Sequence, residues 1–205
     1  MKIMVFLEKC LPLFFWVLIM FSFDSAAGAG LTILVAFLHE LGHMLMINLF
    51  TNKRASLPIA NITGFRIRIS ELSYKEELLV SLGGPLINLI FGLPFAFISA
   101  DSAPLTYLKE FGIINLVTMV SNLFPIESFD GYRIIYSLFG IFGRADFHFA
   151  AILDTLSLIF TATAAFLSLY LILKLGEGYW IFFIFFSLLF SVIRKRQKAA
   201  IWENK

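Results

Sequence analysis

Long apolar runs separated by short polar connections set the pattern of this chain, and six such runs can be read. They are Cys10–Phe23, Leu31–Phe50, Leu78–Ala100, Leu105–Phe124, Ala150–Leu173 and Tyr179–Ile193. A helix needs roughly 20 predominantly apolar residues to cross a bilayer, and the second to fifth runs reach that length. The pattern predicts an all-α polytopic membrane protein of about six transmembrane helices. The first run follows Lys2, Glu8 and Lys9 and is short unless its helix starts nearer Ile3. A signal peptide competes with it, because Ser25-Ala26-Ala27-Gly28-Ala29 resembles a cleavage region. Length favours a retained helix within residues 1–27.

One segment departs from the helical pattern. In Gly64–Ser70, Phe65, Ile67 and Ile69 alternate with Arg66, Arg68 and Ser70, the period of a half-buried strand. Ala55–Ile62 is its candidate partner, although Pro58 weakens that pairing. The expectation is a small membrane-associated β-hairpin between the second and third helices.

Composition agrees with the membrane reading. The 205 residues are 60% hydrophobic and only 15% charged, and the mean hydropathy is +0.88. These values exclude an ordinary soluble domain. The net charge of +2 is small, so its placement carries more information than its size. With the N-terminus cytoplasmic and six crossings, only Lys109 and Lys174 of the 16 Lys and Arg fall towards the far side. The positive-inside rule then puts both termini in the cytoplasm. The basic stretch Arg194-Lys195-Arg196-Gln197-Lys198 directly follows an apolar run, which suits a membrane-surface anchor. No basic patch of the nucleic-acid type is present, so the bilayer is the expected partner. Cys10 is the single cysteine, which excludes a disulfide framework and a cysteine metal cluster.

The candidate chemistry lies in the second run. His39-Glu40-Leu41-Gly42-His43 holds two of the three histidines in the chain. On a helix His39 and His43 stand one turn apart on one face, so both imidazoles can reach one metal ion. Glu40 is offset by about 100°, near enough to act on a water there without ligating the metal. This is the H-E-x-x-H arrangement of zinc hydrolases. Isolated helix histidines are usually structural, but ionisable groups at membrane depth are costly and mark function. His43 precedes Thr51 by eight residues, which is roughly 12 Å below the cytoplasmic end at about 1.5 Å per residue.

A hydrolytic zinc site takes three protein ligands and one open position. The acidic candidates near the cytoplasmic face are Glu127, Asp130 and Asp146, and spacing alone does not choose among them. Asp130 precedes Gly131 just after the fourth run, where glycine permits a sharp reversal. His148, in an aromatic connection, and Asp154, near the start of the fifth run, have structural readings and no assigned role.

The chain resembles the site-2 protease family of intramembrane zinc metalloproteases. The resemblance rests on His39-Glu40-Leu41-Gly42-His43, on Gly84-Pro85-Leu86-Ile87-Asn88, and on Asn122-Leu123-Phe124-Pro125 through Asp130-Gly131. Within that family it looks most like the bacterial sporulation-type branch, which cleaves a membrane-tethered sigma-factor precursor. The resemblance implies one zinc per chain held by His39, His43 and Asp130, with Glu40 as general base. It also implies substrate-positioning roles for Asn122 and Asn88, and close helix approach at Gly83 and Gly84. The implied partners are a membrane-tethered protein substrate and a regulatory membrane protein, in a bacterial cytoplasmic membrane. Residues 1–205 would form a single transmembrane metalloprotease domain with no C-terminal regulatory domain. Two positions depart from the family pattern: Ser128 stands where a second proline is usual and Tyr132 where a second glycine is usual. The competing reading is a non-catalytic membrane scaffold or a metal-ion transporter using the same ligands. An intact Glu40 argues against it, because neither needs a base beside the metal.

Overall fold

The computed structural model describes residues 26–51, 59–61, 64–66 and 72–175, and residues 185–186, 188–189 and 192–193. Among these residues five long helices carry the packing: α1 (Ala26–Phe50), α2 (Tyr74–Ala96), α3 (Ala103–Asn122), α4 (Asp130–Ile141) and α5 (Phe147–Leu175). α2 is the central element, packed against α1, α3 and α4, while α5 packs against α4.

Local sequence explains where α2 begins. Ser73 is its N-cap: the Ser73 hydroxyl accepts from the Glu76 N–H at 3.4 Å, and the Glu76 carboxylate accepts from the Ser73 N–H at 2.8 Å. Two donors that would otherwise lack partners are satisfied by this reciprocal box. Ser73→Ala should cost about 1 kcal/mol, seen as a lower thermal unfolding midpoint of the purified protein. An unchanged midpoint would mean the cap contributes nothing. Pro85 and Pro94 lie inside α2, a placement that membrane helices tolerate because packed neighbours compensate for the lost backbone bond.

Close contact between helices comes from glycine. A Cβ on Gly83 would lie 2.5 Å from the Gly42 carbonyl oxygen, and one on Gly42 would lie 2.3 Å from that of Gly83. The backbones of α1 and α2 therefore touch at the level of the histidines, the small-residue solution to helix packing in a membrane. α1 consequently has two faces. Val35, His39, Gly42, His43 and Ile47 are buried, while Leu34, Phe37, Leu41, Leu45 and Leu49 are exposed as lipid-facing residues would be.

α1, α2 and α5 are long and apolar enough to cross a membrane, so the chain is a membrane protein. Three such helices among the described residues, not six, is a correction to the sequence reading. The first run and most of the sixth lie outside the described residues, while Ala26–Ala29 of the cleavage-like region form the first turn of α1. The fourth run does form α3, but Lys109, Glu110, Asn115 and Asn122 lower its apolar character. α4 is a second correction. The stretch between the fourth and fifth runs forms a 12-residue helix, and His148 lies exposed in the first turn of α5. Of the expected β-hairpin, two short strands are described. Ile59–Asn61 and Gly64–Arg66 pair antiparallel with Ile59 opposite Arg66, Ala60 opposite Phe65 and Asn61 opposite Gly64. Residues 55–58, 62 and 67–70 of the expected hairpin lie outside the described residues. Two three-residue strands are too little to stand as a sheet layer, and the packed architecture is helical.

Candidate metal centre

α1 presents His39 and His43 inward on successive turns, and the start of α4 brings Asp130 to meet them. All three side chains are buried. His39 Nε2 lies 2.9 Å from Asp130 Oδ2, His43 Nε2 lies 3.3 Å from the same oxygen, and the two Nε2 atoms are 3.2 Å apart. The imidazole planes stand nearly perpendicular, at 84°.

The far side of each ring determines what these atoms can do. His43 Nδ1 is 2.7 Å from the Val80 carbonyl oxygen, which can only accept, so Nδ1 carries the proton. The Gly84 N–H also approaches that nitrogen, at 3.3 Å, but the shorter contact to an obligate acceptor fixes the tautomer. His39 Nδ1 donates to Asn88 Oδ1 at 2.9 Å. Both neutral rings therefore turn their Nε2 lone pairs towards Asp130, an arrangement typical of metal-ligating histidines held from behind.

The spacing fits a metal. Two ligands about 2.0–2.1 Å from a tetrahedral centre lie roughly 3.3 Å apart. The three separations here scatter around that value, and one ligand atom from each residue lies within 4.8 Å of the others. Two imidazoles and one carboxylate make a borderline N,O donor set suited to zinc. Gly84 completes the cradle: a Cβ there would lie 2.5 Å from His39 Nε2 and 2.6 Å from His43 Nε2. The group His39, His43 and Asp130 can thus hold a metal ion.

Glu40 is half-buried and within electrostatic range of His43, His39, Asp130 and Arg133. Asn88 is fully buried, with its oxygen engaged by His39. Asn122 is not brought to the cluster by any hydrogen bond among the described residues; its Nδ2 donates to the Thr118 carbonyl of its own helix at 3.0 Å. Glu127 and Asp146 stay outside the metal group. The Glu127 N–H donates to Ser157 Oγ at 2.8 Å and Asp146 Oδ1 accepts from the Phe149 N–H at 2.8 Å. Sequence reasoning missed the Val80 carbonyl, which carries no side-chain signal. It also left Asp154 without a role, although a lone acid in an apolar run was a signal.

No family model matches the chain. No curated protein matches it. Among solved structures, the fold is similar to that of the site-2 protease from Methanocaldococcus jannaschii, with a TM-score of 0.60 and 20% identity. The match covers 90% of this chain and 86% of that one, and at this identity the likeness is one of fold.

Proposed function

We propose that the chain is an intramembrane zinc metalloprotease that hydrolyses peptide bonds in or near transmembrane segments of membrane-tethered proteins. The observation that carries the reading is the convergence of His39, His43 and Asp130 on one point beside Glu40. The similarity of fold to a site-2 protease supports it. His39, His43 and Asp130 are the metal ligands, one zinc per chain. Zinc, when bound, supplies Lewis acidity towards a water and the scissile carbonyl. Glu40 takes the proton of the attacking water and passes it to the leaving amine. Asn88 and the Val80 carbonyl keep both rings in the ligating tautomer. Asn88 thus acts through His39, and Asn122 has only its polar character to offer a substrate backbone.

A transmembrane substrate hides its carbonyls in helical hydrogen bonds and has to unwind before attack. The strand Gly64–Arg66, whose outer edge is unpaired among the described residues, offers backbone partners for such an extended segment, since that strand lies against α1. On this reading both termini face the cytoplasm of a bacterial membrane, the substrate class is that of the sporulation-type branch, and a membrane protein regulates access.

The test is purified protein in liposomes with a single-span reporter. Metal analysis should find about one zinc per chain, lost in His39→Ala/His43→Ala. Reporter cleavage should stop with a strong chelator and return with zinc. Zinc flux without cleavage would overturn the protease and favour the transporter. Full zinc content in the double mutant would overturn the ligand assignment.

A further inference from the structure

Asp130 has to be aimed at the histidines from another helix, and α4 alone does not aim it. The N-cap of α4 is Phe129, which has no side chain able to cap, and no cap hydrogen bond forms there. The chain is instead tied to α5 on both sides of Asp130. Before it, the Glu127 N–H donates to Ser157 Oγ at 2.8 Å. After it, the Tyr132 hydroxyl donates to Asp154 Oδ1 at 2.5 Å. Asp154 and Ser157 are three residues apart and share a face of α5.

Asp154 stands seven residues into α5, roughly 10 Å along a helix read as membrane-spanning. An acid there is costly unless partnered, and marks function. Its partner is Tyr132, two residues from Asp130. The Tyr132 ring stacks on Tyr136 one turn further on, at 6.4 Å and 13°. Tyr136 meets Tyr74 of α2 edge-on at 6.0 Å. The phenol is thus a strut, held flat by its neighbour and pinned at its tip by Asp154. A helix that turns or slides carries all its side chains with it, so freeing that tip displaces Asp130 from the two Nε2 atoms.

We infer that Tyr132 and Asp154 are positioning residues for the metal centre: the hydrogen bond between α4 and α5 sets the rotation of α4 that presents Asp130 to His39 and His43. The inference rests on the metal reading of that cluster.

Zinc affinity, measured on the purified full chain by competition with a chromophoric chelator, tests it. Tyr132→Phe keeps the ring stack and removes only the hydroxyl, while Asp154→Ala removes the acceptor. Each should weaken zinc binding by about 10–100-fold, the usual range for groups that orient ligands. The double variant should be no worse than either single one, because both break one interaction. Asp154→Asn keeps an acceptor oxygen and should bind within about threefold of wild type. Cobalt(II) loaded in place of zinc should show altered visible bands in Tyr132→Phe and near wild-type bands in Asp154→Asn. A purely structural tie would lower the unfolding midpoint and leave affinity and spectrum unchanged, and that result overturns the inference. Additive losses in the double variant overturn it as well. Wild-type protein that binds neither metal overturns the metal reading itself, which separates the two failures.

Discussion

Glu40→Gln should abolish cleavage of a membrane-tethered reporter while zinc content stays at the wild-type level. Glutamine keeps the length and much of the hydrogen bonding of glutamate but cannot take a proton, so the change isolates the base. Glu40 stands next to His39 on α1 and is only half-buried, which leaves its carboxylate accessible to a water. It lies within electrostatic range of both histidines and Asp130 without joining the ligand group. Loss of a general base costs on the order of 10²–10⁴-fold, enough to take turnover below detection in a reporter assay. The measurement is reporter cleavage and zinc content on one preparation. Turnover within a few-fold of wild type would remove Glu40 from the chemistry, and zinc transport would become the better reading.

Helices α1, α2 and α5 were legible because each is a long apolar run, and bilayer thickness turns length into a usable signal. The metal group was legible in part for a related reason. His39 and His43 are i and i+4 on one helix, so local periodicity alone puts them together. Asp130 is 91 residues further on, and no local rule connects it to them; only resemblance singled it out from Glu127 and Asp146. The same distance problem hid the His39–Asn88 hydrogen bond and the Val80 carbonyl behind His43.

α4 was illegible for a different reason. Its 12 residues are too few for a transmembrane signal, and its polar face, with Asp130, Arg133 and Ser137, reads as a connection. Arg133 is held by Glu77 of α2 at 2.7 Å, a partly exposed pair whose expected contribution is small. Ser128 and Tyr132 were readable only as departures from a family pattern. In the structure Tyr132 has a partner that glycine could not engage, Asp154 on α5. Burial, with this hydrogen bond, pushes the Tyr132 phenol up from its ordinary range, so it stays protonated and able to donate.

Gly84→Ala should remove metal binding without removing a ligand. The added Cβ would sit 2.5 Å from His39 Nε2, 2.6 Å from His39 Cε1 and 2.6 Å from His43 Nε2, against the ligating nitrogens of both rings. The rings cannot swing clear at low cost. His39 is held through Nδ1 by Asn88 at 2.9 Å, and His43 by the Val80 carbonyl at 2.7 Å. Moving either ring breaks a buried hydrogen bond, at roughly 1–3 kcal/mol, and turns Nε2 away from Asp130. Zinc affinity should fall by at least about tenfold, and cleavage should fall with it. Gly83→Ala is the control one residue away. Its Cβ would meet the Gly42 carbonyl oxygen at 2.5 Å and Met46 Cγ at 2.7 Å, so it wedges α1 from α2 and not the rings from each other. Overpacking of that kind costs about 1–3 kcal/mol and should show as a lower unfolding midpoint. The two substitutions add the same methyl group on adjacent residues, so they differ only in what the methyl meets. Gly84→Ala should therefore lose more zinc affinity per degree of midpoint than Gly83→Ala. Wild-type zinc affinity in Gly84→Ala would mean that the metal does not sit between these rings, and the ligand assignment would fall with it.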